Sequence, residues 1–169
     1  PELSVAENIF MGHAPRTRFG NLDWDRMRSL AHEQLASLDI HDLNVDQLIG
    51  TLSVGNRQRV EIAKALSQNA RLLIMDEPTA ALDLGHQADL MRAVKAFSQS
   101  GVAVVMVVHD INLAARYADR VLALQCSQVM AFGSVEAVIT KANMEVLFST
   151  KVEVVAEPIS GTPYVMHLS

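Results

Sequence analysis

Hydrophobic residues recur every three or four positions through most of the stretch before residue 71. This spacing gathers them on one face of a helix, so it predicts α-helices over 23–38 and 56–66. A shorter helix is predicted over 4–11, where Ser4 is suited to be the N-cap and Glu7 completes a capping box. The chain therefore begins with a helical region.

After residue 70 the pattern changes to short apolar runs that alternate with helical spacing. The runs 71–75 and 102–108 are apolar almost throughout, which is typical of parallel strands covered on both faces. The predicted fold class is α/β: a helical subdomain, residues 1–70, joined to a parallel-sheet core, residues 71–169, with a short C-terminal β segment. Further strands are predicted over 120–124, 128–132, 152–155 and 164–167, and further helices over 87–97, 112–117, 135–139 and 142–148.

Composition narrows the possible partners. Half of the residues are hydrophobic and 20% are charged, which favours a folded domain over a disordered chain. The net charge of −5 provides no basic field, so we expect no nucleic-acid partner. Cys126 is the only cysteine, which excludes an internal disulfide. The longest aliphatic run, 102–108, is much shorter than the ~20 residues of a membrane-spanning helix.

Two carboxylates, Asp76 and Glu77, directly follow the first apolar run. Ligands of open α/β sheets lie beyond the carboxyl ends of the strands. An Asp at that place can hold Mg²⁺, and the next carboxylate can accept a proton from an attacking water. The same residues also fit a strand that simply ends in solvated acids.

Three other segments have candidate chemistry and an ordinary structural alternative. The turn 52–56 leads into a predicted helix, whose N-terminal N–H groups can bind an anion, or Ser53 is only its N-cap. His109 ends the second apolar run and would stand beside Glu77 if the two strands are neighbours. There it could donate a hydrogen bond to a phosphate oxygen, or it is a structural histidine. Asp83 is suited to cap the next helix, a role that is compatible with a functional one.

The order and spacing of LSVGN, LLIMDEPTAALD and VVHD resemble the ABC ATPase family along essentially the whole chain. The resemblance implies part of a P-loop NTPase core that binds ATP and Mg²⁺ and hydrolyses ATP. In the family's terms, the nucleotide-binding signature motif includes Ser53, Val54, Gly55 and Asn56, the Walker B metal ligand is Asp76, the catalytic base is Glu77, the D-loop ends at Asp83, and the switch histidine is His109.

The same resemblance implies the partners of an importer. Two cassettes pair head to tail, so that Ser53 and Gly55 would serve ATP held mainly by the second cassette. Transmembrane permease subunits bind the dimer at the cytoplasmic face of the inner membrane, and a periplasmic or extracellular solute-binding protein acts indirectly. The usual signature reads LSGGQ, and this sequence departs from it at Val54 and Asn56.

The phosphate-binding motif G-x-x-x-x-G-K-[ST] does not occur in the sequence. Residues 1–8 resemble the stretch just after the family's Q-loop, and the chain starts at Pro1. We therefore expect the P-loop and the Q-loop glutamine to precede residue 1. We expect the chain alone to be inactive and to bind Mg-ATP no more tightly than about millimolar.

The two halves of the chain resemble different branches of the family. Residues 3–81 resemble ribose-type sugar importers, and residues 82–169 resemble importers of ferric siderophores, haem or cobalamin. A recombined or engineered chain and a natural intermediate branch both fit, so the transported substrate stays open. Two other functions are also consistent with the sequence: a non-catalytic module that docks a transporter, and a soluble ABC-type ATPase. The latter predicts basic extensions or long coiled coils, and neither occurs here.

Overall fold

The computed structural model describes residues 2–168. The chain divides into two compact units, the first ending at Val107 and the second beginning at Val108. This division lies well beyond residue 70, where the sequence predicts that a helical subdomain ends. The boundary at residue 70 concerns family subdomains rather than compactness, and it stays a prediction.

The first unit has four helices and a pair of parallel strands within its described residues. As predicted, Ser4 and Glu7 form a capping box at the start of the first helix, because each side chain accepts from the other residue's N–H. Asp23 caps the second helix by accepting from the N–H of Arg26. The elements are α1 (Val5–Ile9), α2 (Trp24–Ser37), α3 (Val54–Ser67), β1 (Leu72–Asp76), α4 (Leu84–Gln99) and β2 (Ala103–Val107), with a 3₁₀ turn at Ile49–Thr51.

The helices of the first unit enclose one hydrophobic core. Helix α4 begins at Leu84, three residues before its predicted start, because Asp83 caps it and adds a turn. The apolar faces of α1, α2, α3 and α4 meet in the interior. The largest fully buried side chains there include Ile9, Leu35, Leu38, Ile62, Leu90 and Phe97.

Strands β1 and β2 are parallel, as predicted, and they are direct neighbours, with Leu72 opposite Ala103 and Asp76 opposite Val107. Their inner side chains, such as Leu73, pack against the helical core. The prediction that both faces are covered is wrong for the described residues, because the alternate side chains stay exposed. Ile74, for example, is 67% exposed. Successive strand residues point to opposite faces, and the helices of this unit cover only one of them.

The second unit is built around two antiparallel strand pairs. The four strands are predicted from the sequence, and a turn with positive φ at Cys126 and Ser127 joins the first pair, β3 and β4. The side chain of Asn112 ties α5 to β6 by accepting from the N–H of Val165 and donating to its carbonyl. The elements are α5 (Ile111–Tyr117), β3 (Arg120–Gln125), β4 (Gln128–Ser134), α6 (Val135–Val138), α7 (Lys141–Phe148), β5 (Val152–Ala156) and β6 (Pro163–His167).

Candidate functional site

The two predicted carboxylates lie at the carboxyl end of the parallel strand pair. Asp76 is the last residue of β1, and the N–H of Glu77 donates to the carbonyl of Val107 at 3.0 Å. The ladder between the strands thus continues one residue past Asp76 and fixes the backbone of both acids. Both residues are exposed. The strand pair therefore presents two adjacent carboxylates at the edge where an α/β sheet binds its ligands.

The backbone of Glu77 adopts a left-handed conformation with φ 44°. This conformation costs a residue with a side chain about 1–2 kcal/mol, and Pro78 disfavours the right-handed helical alternative. The N–H of Ala80 donates to the carbonyl of Glu77 at 3.2 Å, which closes a turn directly after the strand. Strained residues of this kind concentrate at functional sites.

The predicted anion site lies at the N-terminus of α3. Ser53 caps this helix of 14 residues, because its Oγ accepts from the N–H of Asn56 at 3.2 Å. The cap leaves the N–H groups of Val54 and Gly55 without acceptors inside the helix. Val54 is exposed and Gly55 is buried. Free N–H donors and the positive end of the helix dipole make this turn suitable for an anion.

Gly55 is in close contact with the segment that contains Asp83. A Cβ on Gly55 would lie 3.2 Å from Cβ of His86, and 3.4 Å from both Cδ2 of His86 and Cδ2 of Leu82. Only glycine fits this approach without displacing its neighbours. The structure therefore joins two motifs that the sequence suggests separately, the start of α3 and the start of α4.

Asp83 caps α4, as predicted, and also binds the side chain of His86. Its carboxylate accepts from the N–H of His86 at 2.9 Å, and both carboxylate oxygens lie 2.9 Å from Nδ1 of His86. An ionised carboxylate has only acceptors, so Nδ1 is the donor. The backbone N–H of His86, followed by its side chain, holds the pKa of Asp83 below its ordinary value. Asp83 therefore stays charged at this end of α4.

A charged cluster beside the α3 turn has no counterpart in the sequence predictions. Arg59 is 4% exposed, and its guanidinium donates to both carboxylate oxygens of Asp42, at 2.8 and 2.6 Å. It also donates to Oδ1 of Asn56 at 2.5 Å. The hydrogen bond from Arg59 is the main reason that the pKa of Asp42 lies below its ordinary value. An arginine in the middle of an apolar helix stripe is the sequence signal that could have revealed the cluster.

His109 belongs to the second unit, unlike the other predicted site residues. It precedes Asp110, which caps α5 by accepting from the N–H groups of Asn112 and Leu113. Strands β1 and β2 are neighbours, which is the condition on which the His109 prediction depends. That His109 stands beside Glu77 stays a prediction.

The acidic residues at the end of β1, Asp76 and Glu77, are suited to a magnesium ion that also binds the phosphates of a nucleotide. Within the described residues, no three His, Cys, Asp or Glu side chains are grouped so that they could hold a metal ion by themselves. Mg²⁺ usually binds through one or two carboxylates, phosphate oxygens and waters. Asp76 at the exposed strand end is suited to that mode.

Sequence comparison relates the chain to importer ATPases. A family model described as ABC transporter matches residues 1–80. The hemin import ATP-binding protein HmuV of Gloeobacter violaceus is 37% identical over 97% of this chain and 61% of its own length. The ribose import ATP-binding protein RbsA 2 of Rubrobacter xylanophilus is 46% identical over 74% of this chain and 24% of its own length. The chain thus spans less than two thirds of the length of each of these relatives, and both predicted branches are represented.

Solved structures share the fold. An inward-facing metal-chelate type ABC transporter covers the whole chain with a TM-score of 0.79 at 24% identity, and the chain covers 68% of it. The ATP-binding cassette MJ0796, a dimer in a post-hydrolysis state with ADP and phosphate, matches 79% of this chain and 57% of its own with a TM-score of 0.60 at 30% identity. The motif order, the similarity in sequence and the common fold together show that this chain belongs to the ABC transporter ATP-binding family.

Proposed function

We propose that this chain supplies the signature motif, Walker B carboxylates, D-loop and switch histidine of an ATPase that energises solute import. The observation that carries the proposal is the geometry of one unit. Its parallel strand pair ends in Asp76 and Glu77, and its α3 begins with a capped, donor-rich turn at Ser53. The relatives are import ATP-binding proteins, and their family hydrolyses ATP in general.

In this proposal the two carboxylates have different tasks. Asp76 would hold Mg²⁺, and the ion would supply neutralisation of the charge on the phosphates. Glu77 accepts the proton of the attacking water, and its place directly after β1 fixes it beside Asp76. His109 donates a hydrogen bond to a phosphate oxygen. Turnover also needs a phosphate-binding G-x-x-x-x-G-K-[ST] loop, a motif that does not occur in these 169 residues, so we expect no turnover by the chain alone.

The α3 turn serves the nucleotide of a second cassette. Ser53, Val54, Gly55 and Asn56 offer hydroxyl, backbone and amide donors, which suit phosphate oxygens. A related cassette, MJ0796, is a dimer with ADP and phosphate, which supports a pair of cassettes for this chain, and we propose that the two are arranged head to tail. Asp83 borders the same surface because Leu82 and His86 contact Gly55.

The remaining proposed partners are those of an import transporter. Transmembrane permease subunits hold the cassettes at the cytoplasmic face of the inner membrane, and a periplasmic or extracellular solute-binding protein delivers the solute. No helix between residues 2 and 168 combines the length and apolar character needed to cross a membrane. Hemin and ribose importers are both relatives, so the proposal concerns the energising step rather than the transported solute.

The test is substitution of Glu77 in the complete protein that contains this sequence, assembled with its native subunits. Glu77→Gln keeps ATP binding and lowers turnover by on the order of 10²–10⁴-fold, the usual contribution of a general base. Glu33→Gln, an exposed position on α2, is the matched control and keeps full turnover. Equal phosphate release by Glu77→Gln and the unchanged protein would remove Glu77 from the mechanism and refute the proposal.

A further inference from the structure

Arg59 connects two parts of the chain that the sequence separates. Its side chain is almost fully buried, whereas the Asp42 carboxylate that it binds is 59% exposed. The third contact of the guanidinium is Oδ1 of Asn56, one turn earlier on α3. Arg59 thus holds the first turn of α3 against the loop that contains Asp42.

The chemistry of the guanidinium decides which way the Asn56 amide faces. Arginine has five N–H donors and no acceptor, so the atom of Asn56 that meets it must be the carbonyl oxygen. The Asn56 Nδ2 amino group has no hydrogen bond within the residues that the structure describes. Meanwhile the backbone N–H of Asn56 is satisfied by Ser53. The amide therefore keeps its donor end for an external group.

Stability alone is a poor explanation for a buried arginine at this place. Nε of Arg59 is buried and has no hydrogen-bond partner among the described residues. Replacing a buried ion pair with apolar residues of similar size is often neutral or stabilising. A methionine would fill the same volume without a desolvated charge, so the arginine is better explained by the orientation that it imposes on Asn56.

We propose that Arg59, anchored by Asp42, is a positioning residue that fixes the Asn56 amide with its amino group towards the phosphate-binding side of the α3 turn. The proposal rests on the proposed function, because it assumes that this turn meets nucleotide phosphates. The polar groups that the turn then offers include the Ser53 hydroxyl, the first backbone N–H groups and Asn56 Nδ2, each of which can donate a hydrogen bond. Release of Asn56 would let its carbonyl oxygen face the phosphates and repel them.

The first test measures ATP kinetics in the complete assembled protein. Arg59→Met raises the KM for ATP about tenfold, the effect of losing one hydrogen bond to a charged group, with kcat changed less than twofold. Arg57→Met removes an exposed arginine two residues away and is the control, with an unchanged KM. In an Asn56→Ala background, Arg59→Met has no further effect, because Arg59 acts through Asn56. An equal rise in KM in both backgrounds would overturn the proposal.

The second test needs no turnover. In the ¹⁵N spectrum of this chain, the Asn56 side-chain amide signals shift in Arg59→Met and stay in place in Arg57→Met. Two milder variants, Arg59→Lys, which keeps the charge, and Asp42→Asn, give intermediate shifts. They provide the test if Arg59→Met does not fold. Asn56 amide signals that do not change when Arg59 is substituted would overturn the proposal even if Glu77→Gln abolishes turnover. Conversely, full turnover of Glu77→Gln would refute the proposed function while the amide shifts persist, so the two failures are distinguishable.

Discussion

Two glycines at equivalent helix positions give a direct test of the contact between α3 and α4. Gly55 is the second residue of α3, and Gly85 is the second residue of α4. Gly55→Ala and Gly85→Ala therefore make the same change in the same helical context. The two variants differ only in what the new methyl group meets.

The size of the difference follows from distances. At Gly55 the methyl carbon would lie 3.2 Å from Cβ of His86, which is closer than the ~3.5–4.0 Å optimum for two carbons. Overpacking of this kind costs about 1–3 kcal/mol, which outweighs the ~0.5–1 kcal/mol that alanine gains over glycine in a helix. At Gly85 the nearest atom, Oδ1 of Asp83, is 3.5 Å away, so only the helical gain remains. We expect Gly55→Ala to be about 1–3 kcal/mol less stable than Gly85→Ala.

The assay is urea unfolding of this chain, followed by far-ultraviolet circular dichroism, with both variants and the unchanged protein measured side by side. Similar m-values show that the unfolded states are comparable, so that the midpoints report stability. Equal stabilities of the two alanine variants would refute the close packing of Gly55 against His86. A more stable Gly55→Ala would show that the start of α3 does not touch the start of α4.

Two further outcomes follow from charged groups. Asp42→Ala should destabilise the chain by at least ~1 kcal/mol more than Arg59→Met, because it leaves a buried guanidinium without its carboxylate. The opposite order in urea unfolding would contradict the ion-pair geometry. Because folding lowers the pKa of Asp83, its ionised carboxylate stabilises the fold at pH values above the ordinary carboxyl pKa of about 4. This contribution is lost as the pH falls through the pKa of the folded state. Asp83→Asn, which keeps a capping side chain, should therefore be less stable than the unchanged protein at pH 7 and match it in acid. A constant difference across that range would exclude the charge of Asp83 as the cause.

Much of the secondary structure could be predicted because its causes are local. The capping box joins Ser4 and Glu7, three positions apart, and the apolar spacing of α2 and α3 repeats every turn. The parallel character of β1 and β2 was also predictable from their continuous apolar runs, whereas their direct pairing is seen only in the structure. The apolar spacing predicts the start of α4 three residues late, because it does not include the first turn that begins at the cap Asp83.

The candidate site divides in the same way. The sequence names Asp76, Glu77 and Ser53 because strand ends and helix starts are visible in the order of residues. It gives no hint of the left-handed φ of Glu77, which arises where the strand ladder to Val107 meets the turn at Pro78. The local sequence therefore identifies the candidate functional residues, but not their backbone geometry.

By itself, the sequence determined the α/β class, the order of the motifs and membership in the ABC transporter ATP-binding family, because these depend on residue type and spacing along the chain. Only the tertiary structure decided which face of β1 and β2 is covered, since a continuous apolar run reads the same for both faces. It also decided that Arg59 holds Asp42 and Asn56, and that Gly55 meets His86. Asp42 lies 17 residues from Arg59, and such contacts exist only once separate elements have packed.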